Sequence, residues 1–90
     1  MAQAINRLSA RFVETVNEPG RYADGGNLYM VVGKSGAKSW LFIYRAGTRQ
    51  REAGLGSLDK VSLKGARATA ASFRDMLGKG IDPLDKRAED

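Results

Sequence analysis

The sequence predicts a small α+β fold: a three-stranded antiparallel β-sheet packed against one carboxy-terminal α-helix, with a short amino-terminal helix ahead of it. Three observations carry this reading. Runs of strand length at Leu28–Val32 (LYMVV), 38–45 (KSWLFIYR) and 49–56 (RQREAGLG) are separated by short glycine-containing turns. A single long stretch, Leu63–Gly78, repeats its apolar residues at spacings of three and four. At 90 residues the chain has room for one core, so one helix over one sheet accounts for what it can bury.

Taken in order, residues 1–8 have no strong pattern. Ser9 can cap a short helix running to Val16, with Phe12, Val13 and Val16 on one side. Two turns of helix do not stand alone, so this piece must dock on the sheet. Pro19-Gly20 ends it before an extended approach through Arg21, Tyr22 and Ala23, and Asp24-Gly25-Gly26-Asn27 forms a turn that feeds the first strand.

Valine, isoleucine and aromatic residues crowd the first two strands, as a half-buried pleated surface favours. The third run carries Gln50, Arg51 and Glu52, so it is expected at an edge or as a ribbon in solvent. Alternation with period two puts Leu28, Met30, Val32, Trp40, Phe42 and Tyr44 on one wholly apolar face. The reverse face receives Tyr29, Val31, Ser39, Leu41, Ile43 and Arg45, with Gln50, Glu52 and Gly54 from the third strand. Two readings of that face stay open: it is an interface, or the amino-terminal segment folds over part of it.

Ser62 is placed as the N-cap of the long helix. Leu63, Ala66, Ala70, Phe73 and Leu77 form its apolar stripe, the two alanines allowing close approach to the sheet, while Lys64, Arg67, Ser72 and Asp75 take the remaining surface. Trp40 is expected to be buried against this stripe. Gly80 stands where a left-handed C′ residue is expected, and Asp82-Pro83 forbids continuation. From Leu84 onward the chain is charged and reads as the start of a linker; the domain is therefore drawn over residues 1–84 and the linker over 85–90.

Fifteen Lys and Arg against ten Asp and Glu give a net charge of +5, a bias toward phosphate-bearing partners or anionic surfaces. The chain has neither cysteine nor histidine. Disulfides, zinc sites of the usual kinds and catalytic triads built on a histidine base are thereby excluded, and no metal or cofactor is expected. No apolar run approaches the ~20 residues of a membrane span, so the chain reads as soluble and cytoplasmic. The spaced glycines between Gly47 and Gly56 open no helix and lack a following Lys-Ser/Thr pair, which argues against a phosphate loop. Tyr22, Tyr29 and Tyr44 have no clustered basic set around them, so structural roles are expected and no catalytic residue is assigned.

Read in sequence, Asp24-Gly25-Gly26-Asn27-Leu28-Tyr29-Met30, Gly36-Ala37-Lys38-Ser39-Trp40-Leu41-Phe42-Ile43-Tyr44-Arg45, Leu55-Gly56-Ser57, Val61-Ser62-Leu63, Ala66-Arg67 and Gly80-Ile81-Asp82-Pro83 make a signature. It resembles the amino-terminal domain of prophage and genomic-island integrases of the tyrosine recombinase family, over roughly residues 8–84. The resemblance implies an arm-type DNA-binding domain that precedes a core-binding and a catalytic domain in a bacterial enzyme of DNA integration and recombination. In that family a tyrosine nucleophile with arginine, lysine and histidine partners does the chemistry from the carboxy-terminal domain. None of that set is matched here, so the chain by itself is not expected to be an enzyme.

The resemblance also implies that the partner is double-stranded DNA, read by a sheet laid in the major groove with the helix behind it. Members of the family often carry a basic residue where this chain has Val31 and Ile43. The remaining candidate contacts are Lys34 and Lys38 around the first turn and Arg45, Arg49 and Arg51 around the second. Tyr29, Ser39 and Gln50 join them as groups able to reach bases or phosphates, and Leu41 and Ile43 as mid-strand apolar contacts. The rival function is a protein-interaction module that joins integrase protomers, or an accessory factor, through Tyr29, Leu41 and Ile43. Neither a membrane nor a small-molecule substrate is expected as a partner.

Overall fold

The computed structural model describes residues 6–89. Its elements in chain order are α1 (Ala10–Thr15), β1 (Gly20–Gly25), β2 (Leu28–Val32), β3 (Lys38–Ala46), β4 (Arg49–Ser57), α2 (Leu63–Gly78) and α3 (Pro83–Glu89). The strands form one antiparallel sheet in the order β1-β2-β3-β4. The α+β class is as expected, but the sheet has four strands where three were expected, and there are three helices where two were.

The additional strand is the segment read as an extended approach. Gly20 to Ala23 pair with Val32 to Tyr29, and Gly25 then faces Leu28, which leaves Asp24 as the extra residue of a bulge. Gly25, Gly26 and Asn27 all have positive φ, so the turn is compressed into the end of the four-residue cluster and the strand runs through Asp24. Alternation along β1 puts Asp24 on the inward face with Tyr22, and its side chain is 1% exposed.

The two sheet faces divide as period two requires. Leu28, Met30, Val32, Trp40, Phe42, Tyr44 and Ala53 are buried and meet Ala66, Ala70 and Phe73 of α2, with Val13 of α1. Phe73 stands edge-on to Phe42 at 5.3 Å between ring centroids. The Trp40 indole, 1% exposed, donates its one hydrogen bond to the Val61 carbonyl at 2.7 Å. Here the backbone must pass close: Gly56 pairs with Trp40 at φ +118°, and a Cβ there would meet Val61 Cγ2 at 2.9 Å. β4 is an edge strand, as its charged sequence indicated.

The helix ends follow from their caps. Ser62 Oγ accepts from Gly65 N at 3.0 Å. At the other end Gly80 N donates to Leu77 O and Ile81 N to Met76 O, a Schellman motif with Gly80 in the left-handed C′ position. Ser9 Oγ accepts from Phe12 N and starts α1, of which Val13 is buried while Phe12 stays 37% exposed, edge-on to Tyr22.

The chain from Leu84 onward reads in sequence as the start of a linker because it is charged, and Asp82-Pro83 as the stop to α2; Pro83–Glu89 instead form α3. The same pair also starts a helix: Asp82 Oδ1 accepts from Leu84 N and Asp85 N, and Pro83 occupies the first helical position, where no N–H is needed. Arg67, expected on the surface of α2, is half-buried instead, gripping Asp24.

Candidate nucleic-acid interface

Among the described residues the sheet face away from α2 is open, and no helix packs on it. Register sets its side chains in rows across the strands: Arg21, Val31, Ser39 and Ser57; then Ala23, Tyr29, Leu41 and Gly54; then Ile43 and Glu52; then Arg45 and Gln50. The amino-terminal helix does not cover this face. Lys38 holds it on the other side, its ammonium donating to the Val13 and Glu14 carbonyls at 2.8 and 2.9 Å, where the last turn of α1 leaves acceptors free.

Of the residues singled out from sequence, Tyr29, Ser39, Leu41, Ile43, Arg45 and Gln50 therefore share the open face. Arg49 stands exposed at the start of β4, beside the β3–β4 turn. Lys34 is exposed in the β2–β3 turn at the opposite end. Tyr29, Ile43, Arg45 and Gln50 line a shallow groove together with Asn27 and Arg7.

Lys38 and Arg51 do not stand with this group. Both have the parity of the helix-bearing face, Lys38 pairing with Val32 and Arg51 with Tyr44. Arg51 donates to Asp82 at 3.1 Å and to Asp85 at 2.9 Å, which ties β4 to α3. Tyr44 hydroxyl donates to Asp82 as well. Partial burial alone would push the Asp82 carboxyl up; the donors Tyr44, Leu84 N, Arg51 and Asp85 N outweigh it and hold the group below its ordinary value. Burial, and then the bond to Asp82, raise the Tyr44 phenol. These titratable groups serve the fold, and among the described residues no cluster of three or more Asp or Glu could hold a metal ion.

Sequence reasoning passed over two cations on this side, Arg7 in the groove and Arg21 on β1. The signal for Arg21 was present: Arg21 and Ala23 alternate with Tyr22 and Asp24, the period of a strand. It was masked by the glycine pair that follows.

An open sheet face backed by helices, with cations at its hairpin ends, is one of the architectures that nucleic-acid readers use. The family described as the arm DNA-binding domain matches residues 8–90. The chain belongs to that family. Relatives agree with it: the integrase of Enterobacteria phage P4 is 38% identical over 82 residues, covering 86% of this chain and 19% of the relative. Prophage integrase IntA of Escherichia coli K12 is 38% identical over 68 residues, 73% of this chain and 16% of the relative. Putative protein IntB of the same strain is 32% identical over 63 residues, 70% of this chain and 16% of its own length. The chain thus spans under a fifth of the length of these relatives. An arm DNA-binding domain is a binding module, and this stretch of chain is non-catalytic. No helix among the described residues is long and apolar enough to cross a membrane.

Proposed function

We propose that this arm domain holds a tyrosine recombinase on double-stranded DNA at sites away from the crossover point, for integration and excision, and that it does so with the open face of its sheet. The observation that carries this is the one-sided architecture: three helices and the whole core lie behind the sheet, while Tyr29, Ser39, Leu41 and Ile43 face outward between cationic hairpin ends. Strands β2 to β4 span about 10 Å, inside a major groove about 12 Å wide, with β1 at the rim. Mid-strand Ser39, Leu41 and Ile43 meet base edges and thymine methyls, Tyr29 and Gln50 reach bases or phosphates, and Arg45, Arg49 and Lys34 take phosphates. Lys38 and Arg51 support the fold that presents this face.

The length of the integrase relatives supports a longer parent enzyme, with a core-binding and a catalytic region beyond a linker that leaves from α3. Its place of action is the bacterial cytoplasm, where its DNA is. A second reading has a specific observation behind it: Tyr29, Val31, Leu41 and Ile43 form a contiguous, half-exposed apolar patch suited to a second protomer or an accessory protein. Selection of bound sequences from random duplex DNA, followed by titration at several salt concentrations, separates the two. Phosphate contact gives a log–log salt slope of about −0.9 per phosphate neutralised. Concentration-dependent self-association without DNA affinity favours the interaction module.

A further inference from the structure

Arg21 on β1 and Glu52 on β4 belong to the two opposite edge strands, yet their side chains meet over the open face, Nη1 to Oε2 at 3.4 Å and Nη2 to Oε1 at 3.5 Å. Three strand spacings, about 14 Å across the sheet, lie between their strands. The two residues are also offset along the strands, the row of Tyr29 and Leu41 lying between them by register. Their side chains are 52% and 39% exposed. An ion pair so exposed adds little to folding, so stability gives no reason for it. Glu52 is also the only carboxylate on the open face among the described residues. Against a polyanion, a lone carboxylate on the binding surface is repelled unless it is neutralised or finds a donor.

In the major groove the donors are the exocyclic amino groups, cytosine N4 and adenine N6, and the guanine paired with cytosine offers O6 and N7 to an arginine fork. Resting on the reading that this face enters the groove, we infer that Arg21 and Glu52 act as a specificity pair for one C·G base pair or two adjacent pairs. Glu52 accepts from cytosine N4, and Arg21 donates to guanine O6 and N7. Before DNA arrives, Arg21 neutralises Glu52 and keeps it from repelling the phosphates during approach. Because the pair is exposed and its bonds are long, opening it costs little, and both groups are already extended over the face they read.

The test begins with a duplex selected by the wild-type protein, then changes each base pair in turn. Wild-type protein is expected to prefer C·G at one position by about 5- to 150-fold. Glu52→Gln should flatten that preference or move it toward A·T, leaving other positions and the thermal unfolding curve unchanged. Arg21→Ala should flatten the same C·G preference and, by leaving Glu52 unneutralised, also weaken binding to every duplex; adding Glu52→Gln in that background should restore part of the uniform loss but not the preference. If Glu52→Gln keeps every wild-type preference while Ile43→Ala alters binding, the inference fails and the groove reading stands. If neither variant changes binding, or the wild type selects no duplex, the sheet face is not the DNA surface and both readings fall.

Discussion

The guanidinium of Arg67 on α2 grips both carboxylate oxygens of Asp24 on β1, Nε to Oδ2 and Nη2 to Oδ1, each at 2.9 Å. The same carboxylate accepts from Leu8 N at 2.9 Å, and Arg67 Nη2 donates onward to the Leu8 carbonyl at 2.6 Å. One buried anion thus fastens β1, the long helix and the segment leading into α1. The bonds to Asp24 hold Arg67 more firmly protonated than a free arginine.

Removing Arg67 leaves Asp24 buried and without its cation. Arg67→Ala is expected to cost about 3 kcal/mol, the low end of the range for a broken buried pair because Arg67 itself is partly solvated. Urea unfolding of the variant measures it. Arg67→Lys should recover only part, since an ammonium cannot reproduce the two-pronged bond.

Acid stability should depend on Asp82. Its folded pKa lies below the unfolded one, so the folded state gains stability above the unfolded value, about 4, and loses it as pH falls through the lower folded value. Asp82→Asn is therefore expected to be less stable at neutral pH and to show a shallower decline on acidification. Tyr44 acts at the other end: its raised pKa means that stability is retained below about pH 10 and lost as pH rises through the folded value. Denaturant midpoints of wild type, Asp82→Asn and Tyr44→Phe across pH check both slopes.

Lys38 separates a structural cation from a DNA-contacting one. Lys38→Met is expected to lower stability by about 1.5 kcal/mol through lost bonds to the end of α1, with no change in the salt slope of DNA binding. A slope reduced by one phosphate would mean that this lysine leaves α1 for DNA.

Arg49 and Ile43 distinguish positioning from reading. Arg49→Ala should weaken binding to a selected and a scrambled duplex alike and reduce the salt slope by about 0.9. Ile43→Ala should alter sequence preference and leave the slope alone. Titrations at two salt concentrations decide it, and an Ile43→Ala variant with unchanged DNA binding but lost self-association favours the interaction module.

The sequence by itself determined whatever depends on neighbours along the chain. Period two in Lys38–Ala46 placed Trp40, Phe42 and Tyr44 in the core, spacings of three and four fixed the buried stripe of α2, and Ser9, Ser62 and Gly80 marked helix ends through local hydrogen bonds and a positive φ. What tertiary structure decided were the functions of charged residues, whose partners lie far away in sequence. Asp24 looked like turn chemistry, but it lies in a strand whose parity points it inward at Arg67, 43 positions on. Lys38 and Arg51 read from sequence as candidate DNA contacts around the two hairpin turns, but strand parity turns both toward the helices, where they bind the end of α1 and the start of α3. Arg21 met Glu52 only because four strands bring their edges within reach of two long side chains. Apolar burial repeats with the period of an element and is legible in one dimension; an ion pair across 30 or 40 residues leaves no period, and only the assembled sheet reveals it.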